Sequence, residues 1–253
     1  MHAFAAFFAL AATSSALPTL SSILQRSTTA AQDLCGTPDD SSVIDGTPWI
    51  VYNMMYNADQ IEGSACTGYK GLVTGVDGEQ KCSWSSTWKI DEVDSTSNVP
   101  KGYSFVGLTQ NLESQISAID SIPATYYWQR TNSTAYKGNV CFDFMTSDTK
   151  GDSTSSAAQE LMLWLRYELY GKSWSLYQGT NDDAGITVSS LVVDQDDQYY
   201  GWFTGDIKDW LLAMVDQGLF TSGTYVNVGN AGMEPFYGTV DFQNKLGLQI
   251  KLS

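Results

Sequence analysis

The sequence predicts an all-β protein, a β-sandwich or jelly roll carrying a single α-helix. Three observations lead there. Short apolar stretches recur between polar, Gly-rich breaks, the pattern of many strands joined by turns. Several stretches alternate between apolar and polar residues, which marks strands with one face on a core. Only one segment has clean helical periodicity. A sandwich fits all three, because two sheets enclose a large apolar interior. Of the 253 residues, 43% are hydrophobic and 16% charged, enough apolar material for a core and too much for general disorder.

In chain order, residues 1–16 read as a secretory signal. Ala3 to Ala12 form an apolar run (AFAAFFALAA), and Ser14-Ser15-Ala16 offers a small-residue cleavage site. The run falls short of the ~20 apolar residues that a membrane span needs. Residues 17–32 are rich in Ser, Thr and Ala and read as a flexible tail or pro-segment. Residues 33–253 show no repeat and no linker, and read as one domain. Val140, Phe142 and Phe144 share one face of a strand; Cys141, Asp143 and Met145 share the other. Residues 157–170 serve two readings. Their Ala, Gln, Glu, Leu and Met content leans to helix. As a strand they put Glu160, Met162, Trp164 and Arg166 on one face and Leu161, Leu163, Leu165 and Tyr167 on the other. The helix follows: Ile207, Trp210, Leu211, Met214 and Val215 keep helical spacing, Gly205 or Asp206 caps the start, and Gly218 stands at the stop. A final strand alternates Leu246, Leu248, Ile250 and Leu252 with polar residues and glycine.

Secretion implies oxidised cysteines. Cys35, Cys66, Cys82 and Cys141 are an even set with three possible pairings. With no CxxC pair, a zinc ribbon or thioredoxin site is not expected. Asn132-Ser133-Thr134 is a glycosylation sequon. The run Asp194-Gln195-Asp196-Asp197 lacks the Gly and Glu of a calcium loop and reads as a solvated turn.

Composition removes several functions. Thirteen Lys and Arg stand against 28 Asp and Glu, a net charge of −15. Nucleic acid and anionic membrane are therefore not expected as partners. The one histidine, His2, lies in the leader, which excludes His-based triads and imidazole metal sites from the mature chain. No metal or cofactor is expected, and acid–base work falls to Asp, Glu, Tyr, Lys or Cys. Eight Trp, 14 Tyr and 10 Phe would suit the C–H faces of sugar rings, although aromatics also fill cores. Glu160 before Leu161, Glu234 in Gly232-Met233-Glu234-Pro235-Phe236, and Asp143 between Phe142 and Phe144 are acids in apolar settings. Such acids need pairing or a wet cleft; their plain reading is a solvated face. A pair of carboxyls about 5–5.5 Å apart is what retaining glycoside hydrolysis requires.

These residues resemble glycoside hydrolase family 12. Gln159 to Leu165 is similar to its nucleophile strand, Ala231 to Gly238 to its acid/base motif, and Val140 to Thr146 to the strand whose Asp bonds the nucleophile. Ile50-Val51-Tyr52-Asn53, Ala65-Cys66-Thr67-Gly68, Lys101-Gly102-Tyr103, Ile122-Pro123 and the Gly205-Asp206 helix match in the same order. The resemblance implies a jelly-roll of two curved antiparallel sheets, with the helix on the convex side and an open cleft on the concave side. It implies Glu160 as nucleophile, Glu234 as general acid/base and Asp143 as the residue that orients Glu160. Met162 and Trp164 would share the cleft face, Trp84 and Trp88 would lie on a strand lining the sugar subsites, and Cys35 would pair with Cys66. Cys82 and Cys141 either pair with each other or stay free. Tyr56 stands where the family has a sugar-stacking Trp. Between Trp164 and Trp174 the family has a further strand and loop; here only Leu165 to Ser173 intervene, which leaves unpaired backbone or forces a re-registered ladder. The expected activity is that of a secreted, monomeric, retaining endo-β-1,4-glucanase acting on β-glucan, cellulose-type or mixed-linkage, with an acidic pH optimum. The alternatives are a xyloglucan-specific endoglucanase and a non-catalytic glycan-binding member.

Overall fold

The computed structural model describes residues 27–165, 174–181, 185–193 and 198–253. Residues 1–26, which include the expected signal segment, Arg166, Tyr167 and the run Asp194–Asp197 lie outside the described residues. Two large sheets form a sandwich. The first has ten strands. Its main path runs Ser27–Thr28, Asp39–Ile44, Trp49–Met54, Tyr103–Leu108, Tyr225–Met233, Cys141–Ser147, Gln159–Trp164, Ile186–Val193 and Trp174–Asn181. The second has seven strands. Its path runs Trp202–Asp206, Pro123–Arg130, Pro235–Leu248, Gln80–Ile90, Gly63–Thr74 and Gln32–Leu34, with Tyr136–Gly138 paired to Pro235–Leu248.

Alternation explains which faces meet. Phe142, Phe144, Leu161 and Leu163 are fully buried between the sheets. They face Trp84, Tyr126, Leu246 and others from the second sheet in one continuous core. The segment with two readings is a strand, Gln159–Trp164. Burial of one face outweighs its helical propensity, because a period-two pattern exposes its leucines in a helix. Leu246, Leu248 and Ile250 point inward, whereas Leu252 is exposed, since Lys251–Leu252 leaves the second sheet to pair with Ile119–Ser121.

The helix spans Lys208–Asp216 and buries Trp210, Leu211 and Met214 in the inter-sheet core. Asp206 Oδ1 accepts from the backbone N–H of Lys208 at 3.0 Å and of Ile122 at 2.6 Å, which ties the helix start to the second sheet. Gly218 takes φ +73° after the last turn, the left-handed stop that glycine adopts freely.

The short connection after Trp164 re-registers the sheet. Gln159–Trp164 pairs in parallel with Thr187–Val192, residue for residue, and Trp174–Asn181 becomes the edge, antiparallel to Ile186–Val193. Ile186–Val193, which runs the same way as Gln159–Trp164, lies beside it, and the ladder is hydrogen-bonded throughout. A disulfide joins Cys35 and Cys66, with Cα atoms 4.4 Å apart. Cys82 and Cys141 are free, buried, and lie on strands of different sheets.

Candidate active site

The outer face of the ten-stranded sheet collects the predicted acids. Glu160 lies on Gln159–Trp164 between Met145 and Val188 on the adjacent strands. Two residues on, Met162 stands between Asp143 and Ser190, and Trp164 between Cys141 and Val192. Directly paired residues share a face, so Glu160, Met162, Trp164, Cys141 and Asp143 all point away from the core. Asp143 also pairs with Asn230.

Glu234 arrives differently. It is the one residue between Tyr225–Met233 in the first sheet and Pro235–Leu248 in the second. A chain that crosses between sheets there places the side chain at the rim of the outer face. The Lys101 N–H donates to the Pro235 carbonyl at 2.8 Å and fixes the crossing. Asn139 clasps it from the other side. The Asn139 N–H donates to the Glu234 carbonyl at 3.2 Å, and the Glu234 N–H donates to Asn139 Oδ1 at 3.1 Å. Asn139 Nδ2 donates to Glu234 Oε2, and the Tyr56 hydroxyl donates to Oε1 at 3.0 Å. Beside the clasp, a Cβ on Gly138 would meet the Glu234 carbonyl oxygen at 2.9 Å and the Trp88 ring at 3.1 Å, so glycine is required for the close approach.

Glu234 bears on both other acids, and Asp143 on Glu160. Burial, then Asp143, then Glu234 push the Glu160 carboxyl well above its usual range. Burial and then Glu234 push Asp143 up to about 7. Burial raises Glu234 as well, against the lowering effect of the Asn139 and Tyr56 hydrogen bonds. At mildly acidic pH the site therefore holds protons that isolated acids would release. Asp143 Oδ1 is buried with no hydrogen-bond partner among the described residues. Charge couples Glu160 to both Asp143 and Glu234.

The floor around them is apolar and aromatic. Ile50, Tyr52, Tyr103, Phe105, Cys141 and Met162 form a buried cluster, against which Tyr56 and Trp164 pack half-buried. Phe105 stacks between Tyr52 and Tyr103, with centroids 5.1 Å and 4.9 Å away.

Two predicted subsite residues lie elsewhere. Trp84 and Trp88 are buried in the inter-sheet core, 0% and 3% exposed. They sit on Gln80–Ile90 of the second sheet, where alternation turns Cys82, Trp84, Trp88 and Ile90 inward. Trp84 stacks on Tyr126, and Trp88 packs on Tyr136 and Phe242. Neither side chain lines the face that carries Glu160.

The profile of glycosyl hydrolase family 12 matches residues 47–245. The chain belongs to this family. Among curated relatives, an Aspergillus niger "xyloglucan-specific endo-beta-1,4-glucanase A" is 30% identical over 225 residues, covering 82% of this chain and 85% of the relative. The Emericella nidulans protein of the same name is 28% identical, covering 83% and 87%. "Endoglucanase A" of Aspergillus kawachii is 28% identical, covering 83% and 89%. Among solved structures, Trichoderma harzianum endoglucanase 3 superposes with a TM-score of 0.73 at 24% identity, over 88% of this chain and 99% of that one. A Humicola grisea family 12 catalytic domain, solved with a soaked thio-cellotetraose, gives 0.72 at 21% identity, over 87% and 99%. These structures share the jelly-roll fold with the present chain; it is the family match that places it among glycoside hydrolases.

For this family 12 chain, sequence reasoning missed two residues near the acids. Asn139 precedes the Asp143 strand by a turn-like step, and nothing in its neighbours signals a clasp on a residue 95 positions away. Tyr177 is 60% exposed and pairs with Ser190, itself the partner of Met162, so it stands on the acid-bearing face toward the sheet edge. Its strand could be placed there only once the parallel ladder was known.

Proposed function

We propose that this chain is a retaining endo-β-1,4-glucanase in which Glu160 is the nucleophile and Glu234 the general acid/base. The observation that carries the reading is the convergence of Glu160, Glu234 and Asp143 on one aromatic-floored face, where Asp143 and Glu234 both hold the Glu160 carboxyl above its usual range. Glu160 attacks the anomeric carbon while Glu234 protonates the departing glycosidic oxygen. A glycosyl–Glu160 ester forms and the glucan bearing the reducing-end side leaves. Glu234, now ionised, takes a proton from water, which attacks the anomeric carbon; the bond from that carbon to Glu160 breaks and Glu160 leaves as the carboxylate, with net retention. Asp143, on the adjacent strand, is assigned to orient Glu160, which attacks as the carboxylate. Tyr56, Met162 and Trp164 are assigned to sugar contact at the face, with Tyr177 as an outlying platform.

The substrate is β-1,4-glucan polysaccharide, cellulose-type or mixed-linkage, in keeping with the thio-cellotetraose bound by the Humicola grisea enzyme. A xyloglucan backbone is the second reading, favoured by the names of the Aspergillus niger and Emericella nidulans relatives. The protein acts as a secreted monomer, in keeping with its leader-like start and the Cys35–Cys66 disulfide. No described helix is long and apolar enough to cross a membrane. Glycosylation at Asn132 would replace one of the two Nδ2 hydrogens that it donates to Thr134 Oγ1 and the Thr239 carbonyl, both at 2.9 Å.

The test is reducing-sugar release from carboxymethyl cellulose, barley β-glucan and xyloglucan at mildly acidic pH. Activity is expected on at least one polymer and is expected to vanish in folded Glu160→Gln and Glu234→Gln. Wild-type rates in either variant would refute the roles. Binding without release, from a folded wild-type protein, would leave a glycan-binding protein.

A further inference from the structure

We infer that Tyr56 and Asn139 are positioning residues for Glu234: the phenol hydroxyl and the carboxamide hold one carboxylate oxygen each and fix the acid's orientation toward the glycosidic bond. This rests on the reading of Glu234 as the acid/base.

The geometry is unusually complete for one side chain. Glu234 is 6% exposed. Its Oε1 accepts from Tyr56 and its Oε2 from Asn139 Nδ2. Its backbone is bound at both N–H and carbonyl by the same Asn139. The carboxyl therefore has a donor on each oxygen and a main chain that cannot rotate away. A general acid must present one particular oxygen to the leaving group, and misplacement by about 1 Å costs on the order of a hundredfold in rate. Both donors come from outside the acid's own strands. Tyr56 follows Trp49–Met54, and Asn139 precedes Cys141–Ser147.

The same bonds govern when the acid loses its proton. A donor on an ionised carboxylate favours the ionised form. Glu234 is raised by burial, and the two hydrogen bonds pull in the opposite direction. The titratable groups bearing on the site are Glu160, Asp143, Cys141 and Tyr56 itself. Of the nearby cations, Lys101 Nζ is bound to the Thr96 and Val99 carbonyls at 2.6 Å and 2.7 Å, and Lys137 lies over the Phe236 ring at 5.1 Å. Neither lysine makes an ion pair with Glu234 among the described residues, so the neutral donors carry the task. Tyr56 stays protonated, because burial and the neighbouring Glu234 hold its phenol well above its usual range. It donates throughout the working pH range.

Tyr56→Phe removes the hydroxyl and keeps the ring. The expected result is a fall of about tenfold in kcat with little change in KM, in the range of one lost acid-positioning contact. The basic limb of the kcat profile moves to higher pH, because the ionised form of Glu234 has lost a donor. Asn139→Ala is expected to act in the same direction. A residue that merely supports the fold would leave the limb in place. A second readout needs no turnover: carboxyl carbon NMR of Glu234 in wild type and Tyr56→Phe, with Glu234→Gln to assign the signal. Its midpoint is expected to rise in Tyr56→Phe. An unchanged midpoint, or an unchanged basic limb in an active enzyme, overturns the proposal. A midpoint that rises in Tyr56→Phe, when the wild-type protein releases no sugar from any β-glucan, would keep the contact but overturn the catalytic premise, and with it the positioning role.

Discussion

Replacing Asp143 by Asn should stabilise this protein, and only at high pH. Asp143 sits between Met162 and Asn230 with a buried, unpartnered Oδ1. Burial and Glu234 lift its folded pKa from 3.8 to about 7. A group raised on folding contributes stability that is fully present below its unfolded pKa and is lost as pH rises through its folded one. The window thus runs from about pH 4 to 7. A difference of about 3 units at ~1.4 kcal/mol each comes to about 4 kcal/mol of stability lost by the wild type across that window. Asn mimics the protonated acid in shape and never ionises. The two proteins should therefore unfold alike near about pH 3.5, and the variant should lead by up to about 4 kcal/mol near about pH 8, roughly 8–16 °C in Tm for a domain this size. Urea unfolding followed by tryptophan fluorescence at both pH values measures the difference. A variant equally stabilised at both pH values, or destabilised near pH 8, would refute the electrostatic argument. The same substitution should lower activity, which places the ionisable Asp143 among residues kept at a cost to stability.

Three further outcomes follow from the packing and the cysteines. Trp84→Ala should cost about 3–5 kcal/mol by calorimetry, because the side chain is wholly buried, and any folded fraction should bind cello-oligosaccharides with unchanged Kd; a weakened Kd would return Trp84 to the sugar site. Removing the Cys35–Cys66 bridge, which closes a separation of 31 residues, should cost about 3–4 kcal/mol in denaturant unfolding. Cys82 and Cys141 should resist Ellman's reagent in the folded protein and react as two thiols after denaturation, since burial pushes both thiols up.

Much of this protein is determined by its sequence alone. Alternation at Val140–Met145 and Leu246–Ile250 identifies sheet strands and their buried faces, because a period of two leaves no other way to hide one set of side chains. The spacing of Ile207, Trp210, Leu211 and Met214, with Asp206 before and Gly218 after, determines the helix. Glu160, Glu234 and Asp143 stand out because acids among apolar residues are costly without a purpose. Tertiary structure decides what those signals cannot reach. Gln159–Trp164 became a strand because the inter-sheet core could bury its leucines, against local propensity. Trp84 and Trp88 faced the core because an aromatic residue is equally suited to a core and to a sugar, and only the second sheet's position chose between them. The parallel ladder joins Gln159–Trp164 to Ile186–Val193, a pairing that no local pattern announces. The hold of Tyr56 and Asn139 on Glu234 joins residues far apart in the chain, and such contacts leave no local periodicity to read. Local patterns report what each segment buries; which distant groups then meet, and how they shift one another's protons, is set only when the sheets close.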